Sequence, residues 1–414
     1  MKKVSIAIAG CGGRGRNTYG RMMSKIENGE IVAIADINPD ALAATAREFG
    51  IPDCACYSSA EQLLEQDRLA DILIIATPDD CHAAQAVSAL GKGYHLLLEK
   101  PIATTEEDCL RVLEAQRRAG THVVVCHVLR YAHFYVKIKQ LIDEGAVGEV
   151  VTVNAIERVW YMHQAHSFVR GNWRNSEESS PMILAKCCHD MDIIGWIAGK
   201  RCRSVSSYGS LMYFNRANAP EGSADRCADC SVEDCKYNAY DFYPSLVHED
   251  CTWWPANVLS PTPDREHILE ALDNGPYGRC VFRCDNDVVD HQVVNMLFED
   301  GVTANFTMTA FTANGARAMN VMGTDGEIRA DYDGGFIRVM PFGGEEYTID
   351  VNSLSADSSG HGGGDIVMLR DFINCIANGT APKFELREST QSHLIAFAAE
   401  RSRLNGGAPE LINI

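Results

Sequence analysis

Two stretches of the chain carry residues able to move a proton. In Ile183-Leu184-Ala185-Lys186-Cys187-Cys188-His189-Asp190-Met191-Asp192-Ile193-Ile194 the apolar residues recur at helical spacing, and His189 and Asp192, three apart, share one helix face. A histidine oriented by a carboxylate suits general-base work, because its pKa lies near working pH. The second stretch is Glu99-Lys100-Pro101, a charged pair directly after the buried-strand pattern His95-Leu96-Leu97-Leu98, with Pro101 stiffening the exit.

The chain also carries a signature for a redox partner to such groups. The apolar run Val4-Ser5-Ile6-Ala7-Ile8-Ala9 meets Gly10-Cys11-Gly12-Gly13-Arg14-Gly15 and then a helix-compatible stretch. Gly10, Gly12 and Gly15 have the dinucleotide spacing: one for the tight turn, one for backbone approach to a pyrophosphate, one for close helix-strand packing. A helix start there favours negative charge. A second apolar run, Ile31 to Ala35, ends in Asp36, placed to bond ribose hydroxyls. Ile37 and Asn38 follow, with no adjacent Arg for a 2′-phosphate, so NAD is expected over NADP.

Aromatic and polar groups crowd the run Trp160-Tyr161-Met162-His163-Gln164-Ala165-His166-Ser167-Phe168-Val169-Arg170-Gly171-Asn172-Trp173-Arg174. Aromatic faces stack on sugar rings, and arginines and amides bond hydroxyls. Trp160, His163, His166, Arg170, Trp173 and Arg174, with Lys186 and Asp192, are therefore the candidate substrate contacts; a surface loop using these groups for its own ordering is the plainer alternative. Farther on, Cys227-Ala228-Asp229-Cys230, Cys235 and Cys251 are compatible with a structural zinc, less readily an iron-sulfur cluster, or four unligated thiols.

The elements that must position these groups follow from periodicity. Apolar runs alternate with helical patterns (Pro39 to Phe49, Asp80 to Leu90, Thr105 to Ala119) up to Val123-Val124-Val125, which predicts a parallel doubly wound sheet with ligand at its strands' carboxyl ends. Thr77-Pro78 closes one run and is placed to face the cofactor or to serve as a plain turn. From Glu149 strict alternation takes over, as in Val302, Ala304, Phe306 and Met308, and Asp300-Gly301, Asp325-Gly326 and Asp333-Gly334-Gly335 supply turns of an antiparallel meander. Helical patterns from Asp365 to Ala377 and Glu388 to Leu404 close the chain; His361, beside Gly362-Gly363-Gly364, reads first as an exposed loop histidine, with an approach to the active site as the alternative.

Composition bounds the partners. The 414 residues allow two domains, and 46% apolar with 22% charged residues is ordinary for a globular chain. A net charge of −19 argues against nucleic acid or anionic membrane. Met1-Lys2-Lys3 leads straight into a strand, and no apolar stretch reaches spanning length, so a cytoplasmic protein with no membrane partner is expected. Most of the sixteen cysteines sit in apolar contexts, where free Cys acts as a small hydrophobe.

Taken with Gly10-x-Gly12-x-x-Gly15, the Glu99-Lys100-Pro101 motif resembles that of the Gfo/Idh/MocA family of sugar and polyol oxidoreductases. The resemblance implies a Rossmann NAD-binding domain over residues 1–127. It implies a substrate and oligomerisation domain over 128–414, with a mainly antiparallel open sheet, helices on one face and a Cys-rich insertion near 220–260. It places Gly13, Arg14, Thr77, Pro78, His82, Glu99, Lys100 and Arg130 around the cofactor, Arg130 being equally readable as an ion-pair partner. It implies catalysis by Lys100 and His189. Family members carry an Asp four residues before this histidine; here that position is Ala185, leaving Lys186 or Asp190 to supply the contact. The implied activity is hydride transfer between a sugar, polyol or glycoside hydroxyl carbon and NAD, in a homo-oligomer. Glycoside cleavage through transient use of bound NAD, and a non-catalytic NAD sensor, are the alternatives.

Overall fold

The computed structural model describes residues 2–412 except 24, 250, 261 and 356–358. Strands β1 (Val4–Ala9), β2 (Gly29–Ala35), β3 (Cys56–Tyr57), β4 (Ile72–Ile75), β5 (His95–Leu98) and β6 (Val123–Val125) form one sheet in the order β3-β2-β1-β4-β5-β6. All its pairings are parallel. Such strands are covered on both faces, which is why β4 and β6 are continuous apolar runs with every residue buried. The order reverses across β1 and β4, so the crevice lies at their carboxyl ends. Gly10, Thr77 and Glu99 all follow strands at that edge.

The stretch after the glycine turn winds as a π-helix, Gly13–Gly20, before a short α-turn, Arg21–Met23. Its widening begins where the Arg16 and Asn17 amides share the Gly12 carbonyl, at 3.0 and 3.4 Å. Gly20 allows the close approach, since a Cβ there would meet the Phe49 ring at 2.5 Å.

The second sheet contains β7 (Val150–Arg158), β8 (Cys202–Ser210), β9 (His291–Phe298), β10 (Thr303–Thr309), β11 (Ala316–Gly323), β12 (Gly326–Asp331), β13 (Phe336–Pro341), β14 (Tyr347–Asp350) and β15 (Glu410–Leu411). Their order is β14-β13-β12-β11-β7-β10-β9-β8-β15. Only β7 and β10 pair in parallel; the other neighbours are antiparallel. Along β9 buried and exposed residues alternate, so one face carries Val294, Met296 and Phe298 into the core. Helices His133–Asp143, Cys188–Ala198 and Leu386–Leu404 supply the other half of that core.

Two features depart from expectation. Helix Gly364–Asn378 turns back onto the first sheet, packing Ile366, Leu369 and Phe372 with Ile6 and Ile8. The inserted region runs from the end of β8 at Ser210 to the start of β9 at His291, longer than the cysteine spacing suggested. It has a small core of its own, built from Ala239, Tyr243, Ala256, Ile268 and Leu272. Among the described residues no helix is long and apolar enough to cross a membrane.

Candidate active site

The glycines of the first turn differ in what they permit. Gly10 has φ +94°, and a Cβ there would stand 2.3 Å from the Ala76 carbonyl oxygen; a Cβ at Gly15 would stand 1.8 Å from the Gly10 oxygen. Gly12 and Gly13 face open space, with nothing within 4 Å. Packing therefore demands the outer two, whereas the opening at Gly12 lets something other than protein approach the backbone. The Asp36 carboxylate is fixed beside the turn, accepting from the Cys11 amide at 2.6 Å and the Asn38 amide at 2.7 Å. This cradle fits a dinucleotide: bare backbone and a π-helix start for the pyrophosphate, a carboxylate for the ribose.

Around it Thr77 is half-buried, donating to Gln85 at 2.7 Å, and Pro78 is exposed. His82, expected at the cofactor, is instead buried between two loops, Nδ1 2.7 Å from the Pro101 oxygen and Nε2 2.9 Å from that of Thr77. Arg14 also departs from expectation. Its guanidinium turns inward to Glu99, the Tyr19 hydroxyl and Asp365. Burial works against the Glu99 carboxylate, but Arg14 and then Lys100 outweigh it and hold its pKa below the usual range.

Lys100 and the His189 helix come together. The Lys100 ammonium donates to the Ala185 carbonyl at 2.8 Å and lies 5.5 Å from the Trp173 ring centre. Ala185 closes a one-turn helix, Met182–Ala185, one turn before His189. His189 is buried, and burial first, then Lys100, His127 and His361, push its pKa well below the histidine range. The ring is therefore neutral at physiological pH, the form a base requires. Its Nδ1 has no hydrogen-bond partner among the described residues. His163 shares this environment, its pKa lowered by burial and then by Lys186 and other cations, Lys100 among them.

Asp192 does not orient His189. It faces the other way, receiving a bidentate pair from Arg130 at 2.6 and 2.8 Å, and Arg130 also reaches Glu388 at 2.8 Å. A buried guanidinium needs an anion, and Asp192 and Glu388 supply it to Arg130. Asp190 likewise pairs with Arg317, which reaches Glu157 at 2.6 Å, while Lys186 lies 3.5 Å from that same carboxylate. Lys186 is partly buried beside His163; desolvation lowers its pKa and Glu157 opposes the shift.

Three expected substrate contacts anchor the insertion instead. Arg170 is 1% exposed and donates to the carbonyls of Arg279 and Tyr237 and, at 3.6 Å, to the Cys227 sulfur. His166 bonds the Tyr243 hydroxyl and stacks on Tyr277. Arg174 forks onto Asp285 at 2.9 and 2.8 Å. Trp173 instead ties the two halves, its indole N–H donating to Asp79 at 3.0 Å, and Trp160 packs near Phe242 and Trp254. The zinc expectation is not met. Among the described residues no group of three or more His, Cys, Asp or Glu is placed to hold a metal. Cys251 is exposed, while Cys227, Cys230 and Cys235 line a cavity of about 30 Å³ with Arg170 and Cys280.

Two further histidines stand beside His189. His127, after β6, lies 5.7 Å from the His189 ring, and His361 lies 5.9 Å from it. His361 bonds Asp365 at 2.9 Å, and Asp365 in turn holds Arg14, so a chain of neighbours runs from the glycine turn to His189. The sequence signals were the polar stretch His127-Val128-Leu129-Arg130-Tyr131 just past a buried strand and the lone histidine beside three glycines.

The family model described as "Oxidoreductase family, NAD-binding Rossmann fold" matches residues 4–127, and its C-terminal alpha/beta domain matches 139–409. A Bacillus subtilis (strain 168) protein, YteT, named as an oxidoreductase, is 28% identical over 370 residues, 83% of this chain and 82% of that one. Inositol 2-dehydrogenase 2 of Saccharopolyspora erythraea is 25% identical over 206 residues, covering 50% of this chain and 57% of its own. In fold, a levoglucosan dehydrogenase solved with NADH and levoglucosan superposes at a TM-score of 0.74 with 18% identity, each chain covered completely at 100%.

Proposed function

We propose, on the premise that the chain belongs to the Gfo/Idh/MocA oxidoreductase family and binds NAD, that it oxidises or reduces a hydroxyl carbon of a sugar, polyol or glycoside. The observation carrying this reading is the meeting of Lys100, from the dinucleotide edge, with the helix turn that precedes His189. Gly10 to Gly15 and Asp36 would hold the dinucleotide. When bound, it accepts or supplies the hydride.

The chain's own residues handle the proton. The Lys100 ammonium bonds the reacting oxygen and stabilises negative charge as the O–H bond weakens. The neutral His189 ring removes the proton from that oxygen, and its imidazolium returns it in the reverse direction. Trp173 and His163 wall the space beside Lys100, and burial of His189 excludes water from the proton's path. Asp36 would repel a 2′-phosphate, which supports NAD over NADP. On the outer sheet face Val151, Val293 and Leu297 are exposed, which supports packing against a second copy, checked by light scattering of the purified protein.

His361 favours a second reading. A further titratable ring 5.9 Å from His189 suits elimination chemistry, in which a glycoside is oxidised transiently and its linkage cleaved with no net NADH. Incubating a panel of monosaccharides, polyols and glycosides with NAD while reading both NADH and released aglycone separates the two. Lys100→Met and His189→Asn should each lower kcat by about 100-fold or more with NAD affinity retained. Both variants keeping near-normal turnover would overturn the assignment.

A further inference from the structure

The insertion between β8 and β9 sends one aromatic ring back to the site. Trp254 lies edge-to-face against His163 at 4.7 Å, near His166 at 5.5 Å, and 6.5 Å from Trp160. His163 belongs to the Lys100 and Lys186 environment, so Trp254 stands one ring outward from the reacting groups.

The two tryptophans bordering this space differ in how they are held. Trp173 sits beside Lys100 with its N–H committed to Asp79. Trp254 is 43% exposed, and among the described residues no acceptor takes its indole N–H. Its backbone is nevertheless fixed: the Trp253 amide donates to the Leu246 carbonyl at 2.9 Å, and Ala256 is fully buried in the insertion's own core. A large apolar face is thus held half in water by a rigid support, together with a free donor. That combination suits a pyranose, whose C–H face stacks while its rim hydroxyls accept.

A single ring reacting between Lys100, His189 and Trp173 would leave Trp254 without a ligand. We propose that Trp254 is the platform of an outer subsite, and that the substrate is a disaccharide or larger glycoside whose second ring stacks there. This rests on the carbohydrate reading above and deepens it.

The test pairs each monosaccharide with its methyl glycoside and a disaccharide containing it, measuring NADH and released aglycone for the full-length protein, Trp254→Ala and Trp254→Phe. For the disaccharide, Trp254→Ala should raise KM about tenfold with kcat within about twofold, and Trp254→Phe should recover part of the loss. KM for the monosaccharide and methyl glycoside should not move. Equal effects on all three substrates, or an unaltered disaccharide KM in Trp254→Ala, would overturn the subsite while leaving the carbohydrate reading in place. No turnover of any carbohydrate by the unaltered protein, with NAD still bound, would overturn both. Thermal unfolding of each variant separates lost binding from lost folding, and Trp254→Phe keeps the comparison if the alanine variant unfolds.

Discussion

Replacing Gly12 and Gly10 by alanine separates a glycine kept for its ligand from one kept for its fold. At Gly12 the backbone has φ −84° and ψ −153°, a region open to any residue, and a Cβ would meet nothing within 4 Å. Alanine there narrows the unfolded ensemble, so Gly12→Ala should unfold at the same temperature or be stabilised by about 0.5 kcal/mol. At Gly10 the φ of +94° imposes strain of about 1–3 kcal/mol on any side chain. The Cβ would also stand 2.3 Å from the Ala76 oxygen and 2.6 Å from its carbonyl carbon, backbone atoms of β4's exit that cannot swing aside. Overpacking of this kind adds about 1–3 kcal/mol, which places Gly10→Ala near 4 kcal/mol destabilised. Unfolding without NAD and calorimetric titration with NAD give the two readouts. Gly12→Ala should bind NAD at least about tenfold more weakly with its stability intact, because the methyl occupies the path of the pyrophosphate. The reasoning fails if Gly12→Ala binds NAD normally, or if it loses as much stability as Gly10→Ala.

Asp192→Asn should cost about 3–5 kcal/mol in urea unfolding, since it leaves the Arg130 guanidinium buried with half its partners; a raised KM at unchanged stability would restore Asp192 to the substrate. Acid should destabilise the protein from about pH 6.5 downward, well above the carboxylate range. Burial lowers the folded pKa of His166 and of His393 to about 3, so their stabilisation is complete above the unfolded value and each loses up to about 1.4 kcal/mol per pH unit below it. A flat unfolding midpoint from pH 7 to 5 would contradict this. Removing the His361 ring should raise the His189 pKa, because that neighbour depresses it; the acid limb of kcat/KM in His361→Asn should move to higher pH, and movement to lower pH would exclude the contact.

The parts legible in the sequence were those whose reason is local. Gly10, Gly15 and Asp36 are dictated by one turn and the strand beside it, and alternation along β9 and β10 marks a half-covered sheet without knowledge of its neighbours. Lys100 was legible because a strand's end says which edge it faces. Helical spacing does put His189 and Asp192 on neighbouring positions, but it cannot say which element meets that face. The loop after β6 does, and its Arg130 claims the carboxylate. Arg170 looked like a sugar ligand by residue type, yet its depth depends on the insertion folding over it. His361 arrives from a segment that runs back along the first sheet, a long-range placement no nearby periodicity records.

Ala185 shows how the site tolerates the loss of an acidic residue. With no carboxylate there, Lys100 donates to a backbone carbonyl and, among the described residues, makes no ion pair. The remaining charges beside it are matched internally, Lys186 and Arg317 against Glu157 and Asp190. Lys100 thus meets a backbone oxygen where family resemblance expects a carboxylate, next to a histidine whose pKa is pushed down first by burial and then by Lys100. A carboxylate at position 185 would serve His189 by raising its basicity but would blunt the field of Lys100 at the reacting oxygen. On the proposed mechanism the balance would fall on the lysine: its ammonium would meet the charge developing on the oxygen, and a weaker base would suffice because that contact makes the hydroxyl more acidic.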